Sequence, residues 1–205
     1  MEDIVMKFRD IPTTCVSDVM DGLYNLHSSI KPLKEDYKLA GRAFTVKTPV
    51  GDNLAVFKAI REAKPGDILV IDAKGDEYRA MAGDYVVGMA KKIGIAGFVL
   101  DGAIRDIVGV KELDLPVFCK ATTVASSKKA GFGVLNVPIS CGGMTVQPGD
   151  IVVGDADGVV VIPQIIEQEI LEKSLKKFQE DKETEAIISG DREAIIKHLD
   201  QLLGK

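Results

Sequence analysis

Tryptophan is absent from this chain, aromatic residues are only 5% of it, and it holds two histidines and three cysteines. Proteins that bind single-stranded nucleic acid stack bases on aromatic platforms, so the shortage argues against that class. A net charge of −5 argues in the same direction, because a phosphate backbone calls for a basic surface. Cys15, Cys119 and Cys141 are odd in number and form no close pair, which speaks against a disulfide framework or a structural zinc site. His27 and His198 lack metal-ligand spacing. No apolar run approaches the ~18 residues of a membrane span. Met1-Glu2-Asp3 is acidic, without the apolar stretch of a signal peptide. No Walker pattern occurs, and no glycine-rich nucleotide loop follows an early strand, which counts against methyl transfer. The expectation is a cytoplasmic protein with reduced cysteines, no nucleic-acid partner and no membrane.

What is present is the composition of a globular protein, 46% apolar and 28% charged. The 205 residues fit one domain plus an appendage. Helical and strand-like patterns alternate, which predicts an α/β fold. Residues 1–26 read as one or two helices, with Thr13 or Thr14 as a cap and Val16, Val19, Met20 and Leu23 as a stripe. Strands are expected at 43–48, 68–71, 96–100, 117–119, 151–153 and 159–162. Helices are expected at 54–63, 83–93 and 107–113, and short strands within 121–143. Residues 64–73 and 147–156 echo one another around Pro-Gly-Asp. The echo reads either as two equivalent turn-plus-strand units or as an ordinary turn used twice. From Gln164 the pattern is helical and charged, with Ile166, Ile170, Leu171, Leu175 and Phe178 as its stripe, a break at Gly190 and a cap at Asp191. The division expected is a catalytic domain at 1–163 and a helical extension at 164–205, packed on the body or on a neighbouring subunit.

One stretch carries chemistry. Gly83-Asp84-Tyr85-Val86 opens a helix, and a glycine there admits a ligand close to the unpaired first N–H groups. Twenty residues separate Asp84 from Arg105-Asp106. The intervening helix, turn, apolar strand and glycine turn at Asp101-Gly102 can bring Asp84 back beside that pair. Two carboxylates and a guanidinium then converge where ligands bind in open α/β sheets, beyond the carboxyl ends of strands. Carboxylates suit Mg²⁺ or Mn²⁺, and arginine suits a carboxylate or a developing oxyanion. Each half also has a plainer reading: an ordinary helix start for 83–86, and a surface Arg–Asp pair for 105–106. Ser126-Ser127 and Cys141 show no base for nucleophilic catalysis. Asp155-Ala156-Asp157-Gly158 reads as a hairpin turn before a metal loop.

These residues, with 136–144 and 148–163, make the chain resemble the class II 4-hydroxy-4-methyl-2-oxoglutarate aldolases. That family is related to the regulator of ribonuclease activity A (RraA) and was formerly described as demethylmenaquinone methyltransferase-like. The resemblance covers about 11–163. It implies a swivelling β/β/α, RraA-like fold, assembled as homotrimers or homohexamers with the active site between subunits. By position it implies that Gly83, Asp84, Tyr85 and Val86 line a pyruvyl substrate, that Arg105 contacts it, that Asp106 ligates a divalent metal cation, and that Asp84 acts through metal-bound water. Asp84 and Arg105 are then the catalytic pair. An acidic residue from a neighbour's C-terminal region completes the family's site, and none here is assigned to it. Tyr85 departs from the smaller or aliphatic residue common at its position, which bears on substrate size. The activity implied is metal-dependent cleavage of 2-oxo acids to pyruvate, with oxaloacetate decarboxylation. The alternative is a non-catalytic regulator of ribonuclease activity on the same fold.

Overall fold

The computed structural model describes residues 4–204 (for Ile188 the backbone alone); residues 1–3 and 205, counted above in the N-terminal segment and the tail, lie outside the described residues. The chain runs α1 (Ile4–Phe8), α2 (Thr13–Val19), β1 (Lys31–Pro32), β2 (Leu39–Lys47), α3 (Leu54–Glu62), β3 (Asp67–Ala82), α4 (Asp84–Ile93), β4 (Gly97–Ile104), α5 (Ile107–Leu113) and β5 (Val117–Thr122). It continues through β6 (Val134–Leu135), β7 (Ile139–Cys141), β8 (Met144–Val146), β9 (Ile151–Asp155), β10 (Gly158–Ile162), α6 (Glu167–Ile188) and α7 (Arg192–Leu202).

The main sheet has the order β1-β5-β4-β3-β2-β9-β10, with β6 added on β2. Its centre, β5-β4-β3-β2, is parallel, and β1, β9 and β10 are antiparallel. Side chains alternate along each strand, and the cores follow that period of two. Phe44, Val46, Leu69, Ile71, Phe98 and Leu100 face α3, α4 and α5. Ala43, Ile68, Val70, Val99 and Phe118 face the other way, beneath the β7–β8 hairpin with Val152, Val159 and Val161. A third cluster joins α1, α2 and α6 to Ile151, Val153, Val160 and Ile162.

The Pro-Gly-Asp echo is two equivalent units. β3 and β9 flank β2 on its two sides, one parallel and one antiparallel. Each unit closes its turn the same way, Asp67 Oδ2 accepting from Lys64 N–H and Asp150 Oδ2 from Gln147 N–H, both at 2.8 Å. The 155–158 segment is the expected hairpin turn, Asp155 pairing with Gly158.

Several local expectations are corrected. Thr13 is the first helical residue of α2, preceded by Pro12, and it does not cap the helix. Its hydroxyl is instead held by Asp155 Oδ1 at 2.6 Å. Leu23 leaves the predicted stripe because α2 ends at Val19 and Asp21 and Gly22 turn the chain with positive φ. Asp101-Gly102 is strand and no turn: β4 runs on to Ile104, and Gly102 sits so close to β3 that a Cβ would stand 2.8 Å from Ala73 Cβ. β3 is far longer than 68–71, accommodated by register shifts against β4.

In the tail, Ile170, Leu171 and Ser174 are buried against the body while Leu175 is exposed. Arg42 grips Glu167 with both terminal guanidinium nitrogens, Nη2–Oε1 at 3.0 Å. Cys15 Sγ donates to Asp181 Oδ2 at 3.3 Å. Asp191 caps α7 by accepting from Ala194 N–H. Among the described residues no helix is long and apolar enough to cross a membrane. All three cysteines are free and buried. Burial, then Asp181, pushes the Cys15 thiol up to about 11, and burial pushes Cys119 to about 11 also, so neither supplies a thiolate nucleophile near neutral pH.

Candidate active site

Two adjacent parallel strands end in register and create the site. Ala82, the last residue of β3, pairs with Ile104, the last of β4, and Arg105 N–H donates to Ala82 carbonyl at 3.1 Å. One chain leaves this point through Gly83 into α4. The other leaves through Arg105 and Asp106 into α5. The twenty-residue spacing between Asp84 and Arg105 is therefore the length of α4 plus β4, the crossover that returns the chain to the neighbouring strand.

Asp106 occupies the N-cap position of α5 with φ 56° and ψ 43°, a left-handed conformation that aspartate tolerates better than most residues. Its carboxylate makes no capping bond. It turns back toward Arg105, with Oδ2 3.3 Å from Nε. Gly83 closes the arrangement from below: a Cβ built there would run into Asp106 Oδ2 and stand 3.2 Å from Arg105 Cγ. Glycine here leaves the Asp106 carboxylate its place, since a Cβ would have to push that side chain aside; the backbone itself is extended at φ −147°. A bent-back carboxylate in a strained conformation, left unused by the adjoining helix, is a mark of a functional position.

Gly83, Tyr85, Val86, Arg105 and Asp106 line one cleft of about 260 Å³. Asp84 does not line it. Its carboxylate lies across the mouth of α4 against Gly109 of α5, where an added Cβ would meet Oδ2 at 3.0 Å. It borders a shallower depression with Tyr85, Glu112 and Leu113. The structure thus brings Arg105 and Asp106 together with the start of α4, and leaves Asp84 on the rim. Tyr85 is 71% exposed at the entrance, while Val86 is buried.

The opposite wall comes from residues the sequence reading left without a role here: Asn53, Phe57, Ser126, Ser127 and Lys129. Asn53 precedes α3, just past the end of β2, which is the next parallel strand beside β3. Recognising β2, β3 and β4 as parallel neighbours would have pointed to all three strand ends. The 126–131 loop is held by Asp52, whose Oδ2 accepts from Ala130 N–H and from Gly131 N–H (3.1 Å) and whose Oδ1 accepts from Leu54 N–H (3.0 Å). Burial opposes ionisation of Asp52, but these three N–H groups and Lys58 outweigh it and hold the carboxyl below its usual range. Backbone bonds Lys128 N–H to Gly51 carbonyl (2.7 Å) and Asn53 N–H to Lys128 carbonyl (3.0 Å) complete the clasp.

Comparison with known proteins places these features in a family. Residues 13–161 match the RraA-like model, described as Aldolase/RraA. A protein of Halalkalibacterium halodurans named "Putative 4-hydroxy-4-methyl-2-oxoglutarate aldolase" is 57% identical over 98% of this chain and 96% of its own length. Streptomyces coelicolor RraAS2, described as an unusual member of the RNase ES inhibitor RraA protein family, superposes with a TM-score of 0.82 at 29% identity, covering 91% of this chain and 98% of that one. The RNA-processing inhibitor RraA of Thermus thermophilis superposes with a TM-score of 0.69 at 30% identity, over 75% and 93% of the two chains.

Proposed function

From the premise that this chain belongs to the RraA-like family and has its fold, we propose that it is a class II aldolase. It cleaves 2-oxo acids of the 4-hydroxy-4-methyl-2-oxoglutarate type to pyruvate and also decarboxylates oxaloacetate. The observation that carries the reading is the Arg105–Asp106 pair folded onto Gly83 at the open end of α4.

The donor set is compatible with a hard divalent cation, Mg²⁺ or Mn²⁺. Among the described residues no group of three or more His, Cys, Asp or Glu forms a metal cage. Mg²⁺ does not need one, since it is commonly held by one or two carboxylates, with water and substrate oxygens filling the remaining positions. Asp106, whose carboxylate is unused by α5 and lines the cleft beside Gly83, fits that pattern, and a cation held there would polarise the 2-oxo group.

The chain's own groups do the rest. In the first turn of α4 Tyr85 N–H donates to Asp84 Oδ1 at 2.6 Å, while the N–H groups of Asp84 and Val86 lack intrahelical partners and favour the substrate carboxylate. Arg105 stabilises the oxyanion of the enolate. The C4 hydroxyl gives up its proton, the electron pair of the C3–C4 bond passes into the enolate, and C4 becomes a carbonyl. Protonation of the enolate then yields pyruvate. Loss of CO₂ from oxaloacetate breaks the corresponding bond and leaves the same enolate. Asp84 serves as the base through a water at the rim, in keeping with its position outside the cleft. The protein works in the cytoplasm as a trimer or hexamer. The exposed Tyr85, Val108, Val124 and Phe132 support burial of that region in an assembly.

The test is pyruvate release from 4-hydroxy-4-methyl-2-oxoglutarate and from oxaloacetate, with Mg²⁺ and with a chelator. Release that depends on the cation is expected, and release undiminished by chelation would overturn the reading. A second reading, ribonuclease regulation, is favoured by the descriptions of the two structural neighbours. Inhibition of a ribonuclease by this protein, with no pyruvate formed under any condition, would establish it instead.

A further inference from the structure

Two features of the loop wall remain unused by the chemistry above. Asn53 is 8% exposed. Its Nδ2 donates to Met81 carbonyl at 3.0 Å, which fixes the amide's orientation, and its Oδ1 has no hydrogen-bond partner among the described residues. A buried acceptor left unpaired is costly, so its retention calls for a donor that arrives from the cleft. Lys129 lines the same cleft, and its ammonium rests 5.1 Å from the centre of the Phe57 ring, with no carboxylate paired to it among the described residues. The other cation of the cleft, Arg105, already faces Asp106.

Resting on the aldolase reading, we propose that Lys129, oriented by Asn53, is the group that binds the distal carboxylate of the substrate and sets this chain's preference for dicarboxylates over monocarboxylates. An ammonium carries three donors. One serves Asn53 Oδ1 and the others take the carboxylate, so Lys129 leaves Phe57 when the substrate enters. The two ends of a dicarboxylate are then read by opposite walls: the 1-carboxylate by the start of α4, the distal one by the loop clasped to Asp52. A monocarboxylic 2-oxo acid engages only the first.

Two measurements test this. The first compares kcat/KM for 4-hydroxy-4-methyl-2-oxoglutarate, a dicarboxylate, with that for 4-hydroxy-2-oxopentanoate, a monocarboxylate. Lys129→Met is expected to lower the first about 10- to 100-fold, the range for losing a hydrogen bond to a charged group, and to leave the second within about threefold. Asn53→Leu is expected to act in the same direction, and the double variant to lose little more than Lys129→Met alone, because Asn53 acts through the lysine. A structural role for either residue would depress both substrates together and would overturn the proposal. The second measurement is calorimetric, with 2-oxoglutarate and pyruvate as non-cleaved probes in the presence of Mg²⁺. Lys129→Met should weaken 2-oxoglutarate about 10-fold or more and spare pyruvate; equal weakening of both, or of neither, would overturn the proposal. Selective weakening in a protein that releases no pyruvate from any substrate would uphold the carboxylate subsite while removing the aldolase reading.

Discussion

The two walls of the cleft are built by different means. One is made of strand ends: Gly83 and Arg105 are neighbours because Ala82 and Ile104 finish β3 and β4 in register, with hydrogen-bonded sheet behind them. The other is a loop with little regular structure, clasped to the start of α3 by one carboxylate and a few backbone bonds. The first wall suits a task that tolerates no misplacement, such as holding negative charge as it develops on an oxygen. The second suits a task that varies with the substrate, and loops on a rigid scaffold commonly carry that role. On the proposed function, reaction type falls to the strand ends and substrate choice to the loop.

Perturbing the first wall should produce the largest effects. Arg105→Met is expected to lower kcat for pyruvate release about 10²- to 10³-fold with either 4-hydroxy-4-methyl-2-oxoglutarate or oxaloacetate, the usual cost of removing an oxyanion-stabilising donor. Gly83→Ala should match it, because the new Cβ displaces Asp106. Steady-state kinetics on both substrates check this, and a loss confined to one substrate would blur the division between the walls.

Asp84→Asn should cost about 10²-fold in aldol cleavage, the lower end of what a base contributes. Oxaloacetate has no hydroxyl to deprotonate, so its decarboxylation should be spared by comparison. Equal losses would show that Asp84 does not act as the base.

Asp52 separates the walls by stability and pH. Asp52→Asn replaces an acceptor by a group that presents N–H to the N–H groups of Ala130 and Gly131. It should destabilise the fold by about 1–3 kcal/mol, read by urea denaturation. It should also raise KM for the dicarboxylate more than it lowers kcat. The Asp52 carboxyl is held below its usual range in the folded protein, so its stabilising contribution is complete above the unfolded value, roughly 3.9, and drains away as the pH falls below that toward the folded value. Melting temperatures between about pH 5 and 3 should fall less steeply in Asp52→Asn than in the natural protein. Parallel curves would place the anchor elsewhere. The smallest effect should come from the tail's surface, where Lys173→Ala removes an exposed pair with Glu169 at a cost under about 0.5 kcal/mol.

Legibility in the sequence follows the same division. The helices α3, α4 and α5, the turn at Asp155–Gly158 and the break at Gly190 all rest on local signals: apolar periodicity, glycine stops and turn residues. The Arg105–Asp106 half of the site could be read because a helix followed by a strand has a predictable length. Three things could not be read locally. Asp101-Gly102 looks like a turn, but the long β3 beside it keeps it in the sheet. Asp84 shares a spacing with the pair, yet as the first residue of α4 its side chain falls toward α5 and away from the cleft. Asn53 and Lys129 line one cleft only because β2 ends beside β3 and because Asp52 reaches 78 residues along the chain to Ala130. Contacts of that span leave no periodic trace.

The central claim is that Asp106, bent back over Gly83, is the point at which this chain holds a divalent cation for a 2-oxo acid. The most direct measurement is Mn²⁺ binding in the presence of pyruvate, followed by water-proton relaxation, for the natural protein, Asp106→Ala and Lys129→Met. Binding that is abolished in Asp106→Ala and unchanged in Lys129→Met is the predicted result. Mn²⁺ held as tightly by Asp106→Ala as by the natural protein would contradict the account.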